Sequence, residues 1–220
     1  MGEMVEFPSD GGTGGGYLAP AQEGAGLGVI VVHEWSGLVD HIVDVCDRLA
    51  GEGFTALAPD LYHRGAAKEP LALDSERAAR DLSVAVDFLQ AHDSVRGHGV
   101  AVVGFGMGGG LALGLATLRP DAVRAAVPFY GIAPNGKEPD WSALTAAVEG
   151  HYAEHDDMAS PNAVAAFEAQ LTELGKEVRI FSYPGTSLAF FDDTRAETYD
   201  EDAARQAWVR TLEFLRAKLG

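Results

Sequence analysis

The sequence predicts an α/β protein with a mostly parallel central sheet and helices on both faces. Three observations predict it. Strand-like and helix-like segments alternate along the chain, as right-handed β-α-β crossovers require. Several strand candidates are continuous apolar runs, Val29–Val32 (VIVV) among them, as expected for strands buried on both faces. The chain has 220 residues and no repeat or internal linker, so it reads as a single domain over 1–220.

Met4–Phe7 and Tyr17–Ala19 are short strand candidates, with the glycine-rich stretch Gly11–Gly16 between them as a hairpin turn. Val29–Val32 follows. His41–Glu52 carries Ile42, Cys46 and Leu49 at helical spacing, and Gly53 stops it. Phe54–Ala58 is a strand, and residues 59–73 are a loop. Asp74 or Ser75 caps a helix running to about His92, with Leu82, Ala85, Phe88 and Leu89 on one face. Val100–Phe105 is a buried strand leading into Met107–Leu118, a helix apolar all round and therefore central. Ala125–Tyr130 and Ala146–Ala153 are strands. Ser160-Pro161 starts a helix that Gly175 ends. Val178–Tyr183 is the last strand, and Asp202 caps a final helix with Trp208, Leu212, Leu215 and Leu219 in register.

Composition excludes several classes. Asp and Glu number 33 against 16 Lys and Arg, a formal charge of −17, which argues against a nucleic-acid or anionic-membrane partner. One cysteine excludes an intrachain disulfide and a cysteine-rich zinc site. The N-terminus has neither a basic n-region nor an apolar h-region, and no 18-residue apolar stretch exists. The expectation is a cytoplasmic protein without cofactor or metal. Oligomeric state leaves no signal in the sequence.

In such sheets, ligands sit at the carboxyl ends of the strands. Gly104-Phe105-Gly106-Met107-Gly108-Gly109 lies at such an end and opens a helix. It satisfies the dinucleotide pattern G-x-G-x-x-G literally, with a pyrophosphate on the helix N-terminus. Its position on a late strand, with no acidic residue after the next strand to hold a ribose, weighs against that reading. It also has the frame of a nucleophile elbow, G-x-Nu-x-G, with Gly106 where the nucleophile would stand.

Val32-His33-Glu34-Trp35-Ser36-Gly37-Leu38 with Asp40-His41-Ile42 resembles the dienelactone hydrolase family of α/β-hydrolases. So do Ala58-Pro59-Asp60-Leu61-Tyr62, Gly104–Gly110, Val127–Gly131, Tyr183-Pro184-Gly185 and Ala207–Leu212, in family order. The resemblance implies the α/β-hydrolase fold. It also implies a Cys-His-Asp triad, with a glutamate near the thiol. Carried over by position, Asp156 is the acidic member and Glu34 the glutamate. The cysteine position is Gly106 and the histidine position is Leu188. The family's oxyanion hole corresponds to the backbone amides near Trp35 and Met107.

Glu34 and Asp156 have two readings: a general acid and base with raised pKa values, or braces for neighbouring loops. His33 reads as a buried, hydrogen-bonded histidine at the pocket's edge. Ser36, Tyr62, His63, Arg64 and Tyr130 lie at strand ends near the pocket. Cys46, on an apolar helix face, reads as core. His151, His155, Asp156 and Asp157 have metal-ligand types but the wrong placement for one helix face. The acidic run Asp192–Asp202 reads as a solvated loop leading into a helix N-terminus.

Loss of Cys and His enlarges the pocket and makes it more apolar. The leading expectation is a non-covalent cyclisation, isomerisation, dehydration or lyase step on a small hydrophobic unsaturated carbonyl compound, polyketide-like in character. Alternatives are an atypical lactone or ester hydrolase, and a catalytically silent protein that binds a ligand or a partner.

Overall fold

The structure is a computed structural model that describes residues 2–9, 12–62, 75–132 and 139–220. Eight strands form one sheet: β1 (Glu3–Ser9), β2 (Gly12–Ala19), β3 (Gly26–Val32), β4 (Phe54–Pro59), β5 (Val95–Phe105), β6 (Val123–Phe129), β7 (Ala147–His155) and β8 (Val178–Ser187). Their order is β1-β2-β4-β3-β5-β6-β7-β8. β1 and β2 join antiparallel, and every pairing from β4 to β8 is parallel. The helices are α1 (Asp40–Gly51), α2 (Ser75–Gln90), α3 (Met107–Leu118), α4 (Pro161–Glu173) and α5 (Glu201–Leu219).

The period-2 geometry of buried strands divides the core between two faces. Val29 and Val31 point to one side with Ile42, Val45 and Leu49 of α1 and Ala207 and Leu215 of α5. Ile30 and Val32 point to the other, with Leu82 and Leu89 of α2, Leu113 of α3 and Leu171 of α4. Both faces are thus covered by helices, as an all-apolar strand requires. Among the described residues, no helix is long and apolar enough to cross a membrane.

Three boundaries differ from the sequence expectation. Gly12–Gly16 is part of β2 rather than a turn; Gly16 pairs with Pro59, and a Cβ there would stand 2.6 Å from the Ala58 carbonyl. Close strand approach, not turn geometry, places that glycine. β8 continues through Tyr183-Pro184-Gly185 to Ser187. Its position at the sheet edge tolerates the proline. α5 is capped by Asp200, whose carboxylate accepts from the Ala203 amide at 2.9 Å. Asp202 lies inside the first turn, bound to Arg205.

Candidate functional site

The carboxyl ends of β3, β5, β6 and β7 and the segment after β8 converge on one place. At its centre is the turn between β5 and α3. Gly106 holds φ 52° and ψ −118°, outside the regions that L-residues favour. Its frame is sterically dictated: a Cβ at Gly104 would meet the Gly108 carbonyl at 2.0 Å, and one at Gly108 would meet the Val32 carbonyl at 2.3 Å. Gly106 itself leaves room for a side chain. A Cβ built there would make only ordinary contacts, 3.6 Å to Glu34 Cγ and 3.9 Å to Glu34 Oε1. Met107 begins α3, so its amide has no intrahelical acceptor.

Glu34 follows β3 and is buried. Its Oε2 accepts from Arg195 at 2.6 Å, while Oε1 is buried without a hydrogen-bond partner. Burial raises the carboxyl's pKa, and Arg195 opposes that shift without cancelling it. Tyr130, just past β6, has φ 42°, a left-handed conformation that costs a non-glycine residue about 1–2 kcal/mol. Its hydroxyl is also buried without a partner. Burial, then the nearby charges of Glu34 and Asp192, push the phenol well above its ordinary value. A buried polar atom left without a partner costs about 1–3 kcal/mol, so both groups are set for an incoming partner.

Asp156 follows β7 and is buried. Its Oδ1 accepts from the amides of Met158 and Ala159 at 2.7 and 2.9 Å, which fixes the loop. Its Oδ2 is buried and unpartnered. Asp156 and Leu188 line a cavity of about 450 Å³ together with His155, Asp157, Met158, Ser187, Arg195, Glu197 and Thr198. Arg195 joins this cavity to Glu34. Its exposed surface is mostly apolar, with Met158 and Leu188 as its hydrophobic side chains, and Arg195, Asp156, Asp157 and Glu197 add charge to it.

His33 is not a pocket residue but is fully buried. Its Nε2 accepts from the Leu61 amide at 3.1 Å, and its Nδ1 faces the Glu34 carbonyl at 2.6 Å. Both nitrogens are thereby committed to holding the β3 and β4 ends together. The Tyr62 ring packs on His33, and its hydroxyl donates to the Trp35 carbonyl at 3.1 Å. Trp35 and Ser36 are exposed on the rim. His63 and Arg64 lie outside the described residues.

The quartet His151, His155, Asp156 and Asp157 does not assemble. His151 is sealed beneath α5, where its ring nitrogens pair with the Tyr183 hydroxyl and Thr211 Oγ1, while His155 is exposed. Cys46 is fully buried in the core, and burial pushes its thiol pKa up.

The sequence does not single out Arg195, and it places Asp192 in a solvated run. Asp192 is in fact buried; its Oδ1 accepts from the Thr194 amide and hydroxyl, and its Oδ2 pairs with Arg195 at 3.0 Å. An arginine three residues after an aspartate, inside an acidic run, is the available signal.

Burial lowers the pKa of both His33 and His151 below the ordinary 6.5. The unfolded chain then takes up protons that the folded state refuses. Their stabilising contribution is present above pH 6.5 and is lost as pH falls toward the folded values. The melting temperature is expected to fall as pH is lowered from about 7 to about 5. A flat or rising profile over that window, read by calorimetry, would contradict these assignments.

Residues 15–219 match the model of the Dienelactone hydrolase family. "Protein usf" of Aquifex pyrophilus is 34% identical, with 100% of both chains covered. "Putative carboxymethylenebutenolidase" of Aquifex aeolicus is 30% identical, again over 100% of both. The crystal structure of "Putative Dienelactone Hydrolase" from Klebsiella pneumoniae subsp. pneumoniae superposes with a TM-score of 0.88 at 28% identity, covering 98% of each chain.

Proposed function

From the premise that the chain belongs to the dienelactone hydrolase family, we propose that it is a diverged enzyme in which the covalent triad is lost and Glu34 transfers protons directly. The carrying observation is the buried Glu34 carboxylate with one oxygen anchored by Arg195 and the other unpartnered beside the space over Gly106. Glycine offers no nucleophile and leucine no base, so attack through an acyl-enzyme has no agent at these positions. A carboxylate with a raised pKa, held in fixed geometry, is instead suited to take a proton from a carbon next to a carbonyl. In this reading the Tyr130 hydroxyl and the Met107 amide would donate to the oxygen where enolate charge develops.

The substrate class that fits is a small unsaturated carbonyl compound, such as a lactone or polyketide-like enone. The lining refines the hydrophobic expectation: Arg195 favours a substrate that also carries a polar or anionic group. The reaction class is isomerisation, cyclisation, dehydration or a related lyase step. Asp156, which lines the cavity and has an unpartnered Oδ2 buried at its wall, is the second candidate proton carrier.

The test follows an unsaturated lactone carrying a carboxylate by NMR in deuterated water. Exchange or double-bond migration at the carbon next to the carbonyl, with the ring intact, is expected. Tyr130→Phe should lower kcat about 10²–10³-fold, as loss of one donor to a developing oxyanion does. Ring hydrolysis at enzymatic rates, unaffected by Glu34→Gln, would instead establish an atypical lactonase. Tight binding with no turnover would make the protein a ligand carrier.

A further inference from the structure

Behind Arg195, the mechanism leaves one buried group unused. His41, in the first turn of α1, is only 4% exposed, and neither ring nitrogen has a hydrogen-bond partner. Its ring is fixed edge-on between Phe105 and Phe191. Nδ1 points at two carboxylates, 3.4 Å from Asp192 Oδ1 and 3.8 Å from Asp193 Oδ1. These separations exceed a normal hydrogen bond. The first matches the edge of a tetrahedron around a metal, where bonds of about 2.0–2.1 Å put neighbouring ligand atoms roughly 3.3–3.4 Å apart, and a small turn of the exposed Asp193 side chain would close the second. One ligand atom from each of the three residues lies within 4.8 Å of the others.

We propose that His41, Asp192 and Asp193 form a binding site for one divalent transition ion, in addition to the proton-transfer site.

The donor set is one imidazole and two carboxylates. It selects a borderline ion such as Zn²⁺, Co²⁺ or Ni²⁺ over Ca²⁺ or Mg²⁺, which prefer all-oxygen shells. Asp193 is exposed, which gives the ion an entry path and leaves the remaining coordination position to water. Asp192 is held rigid by Thr194, whose amide and hydroxyl donate to Oδ1, and by Arg195 on the far oxygen Oδ2, outer-shell contacts that orient a metal ligand. The charge balance also favours a dication. Glu34, Asp192 and Asp193 against Arg195 leave a net −2 with His41 neutral. The ion would tie α1 to the segment after β8 that carries Arg195. This differs from the metal-free expectation of the sequence.

The experiment uses the full chain without a polyhistidine tag, stripped by chelation and titrated with Co²⁺. Saturable one-to-one binding with a visible absorption band, and a rise in melting temperature with Co²⁺ or Zn²⁺, are expected. His41→Phe should keep the aromatic packing and abolish the band. Asp193→Asn, at an exposed position, should weaken binding by roughly tenfold or more, since even outer-shell changes commonly cost 10–100-fold. Absence of saturable binding, or binding unchanged in both variants, would overturn the site. These readouts do not involve turnover, so their failure leaves the Glu34 proposal standing.

Discussion

The double variant Gly106→Cys/Leu188→His is expected to hydrolyse activated esters and lactones at least about a hundredfold faster than the parent chain, whereas either substitution alone should add little. Triad members act as a unit, and the full set contributes up to about 10⁶ in kcat, so partial restoration is ample to detect. The geometry supports each half. A Cβ introduced at position 106 would meet only the Glu34 side chain, at ordinary distances. Position 188 lines the same cavity as Asp156, whose Oδ2 has no other partner to compete with an introduced histidine. The non-additivity follows from charge. A lone thiol beside the Glu34 carboxylate is held as the thiol; only a neighbouring imidazole backed by Asp156 supplies the base. The φ of 52° should make Gly106→Cys about 1–3 kcal/mol less stable, measurable by denaturant titration. If the single Gly106→Cys variant were as active as the double, the assignment of position 188 would fall. If the folded double variant showed no gain at all, the reading of the elbow as a displaced nucleophile site would fall with it.

Glu34→Gln carries the second large effect. The amide is nearly the same size and keeps the fold, since Arg195 retains Asp192 as a partner. It cannot accept the proton, so kcat for the physiological reaction should drop about 10²–10⁴-fold. Glu34→Asp keeps the charge but withdraws the carboxylate by one carbon; an intermediate loss is expected. In the parent protein, the raised pKa of Glu34 predicts that kcat/KM falls on the acidic side at a pH above the ordinary carboxylate range. That limb should vanish in Glu34→Gln. Near-parent activity in Glu34→Gln would remove Glu34 from the mechanism.

Much of the fold is legible because burial on both faces writes itself as unbroken apolar runs. Val29–Val32 and Val100–Phe105 declare themselves as strands, and Met107–Leu118 as a central helix, by hydrophobicity alone. Gly12–Gly16 misleads because glycine marks turns and close strand contacts alike; only the Ala58 carbonyl distinguishes them. Glu34, Asp156, Gly106 and Leu188 are legible through motif frames, since the positions sit at fixed places on strand ends. The burial and hydrogen bonding of His33 are legible too, but not its exclusion from the pocket, because a strand end looks the same whether its ring points out or under. Asp192 and Arg195 are hidden for a different reason. Nothing local separates a buried aspartate from its solvated neighbours when the His41 that faces Asp192 and the Glu34 that pairs with Arg195 lie about 150–160 residues away.

The burial of Cys46 has a practical consequence for all of these experiments. It is the only cysteine in the chain, and core packing seals it from solvent. The native protein should therefore register close to zero equivalents with a water-soluble thiol reagent and one equivalent after denaturation. Any thiol engineered into the pocket can be counted against that blank background. The same reagent reports, by stoichiometry alone, whether each preparation is folded before a single rate is measured.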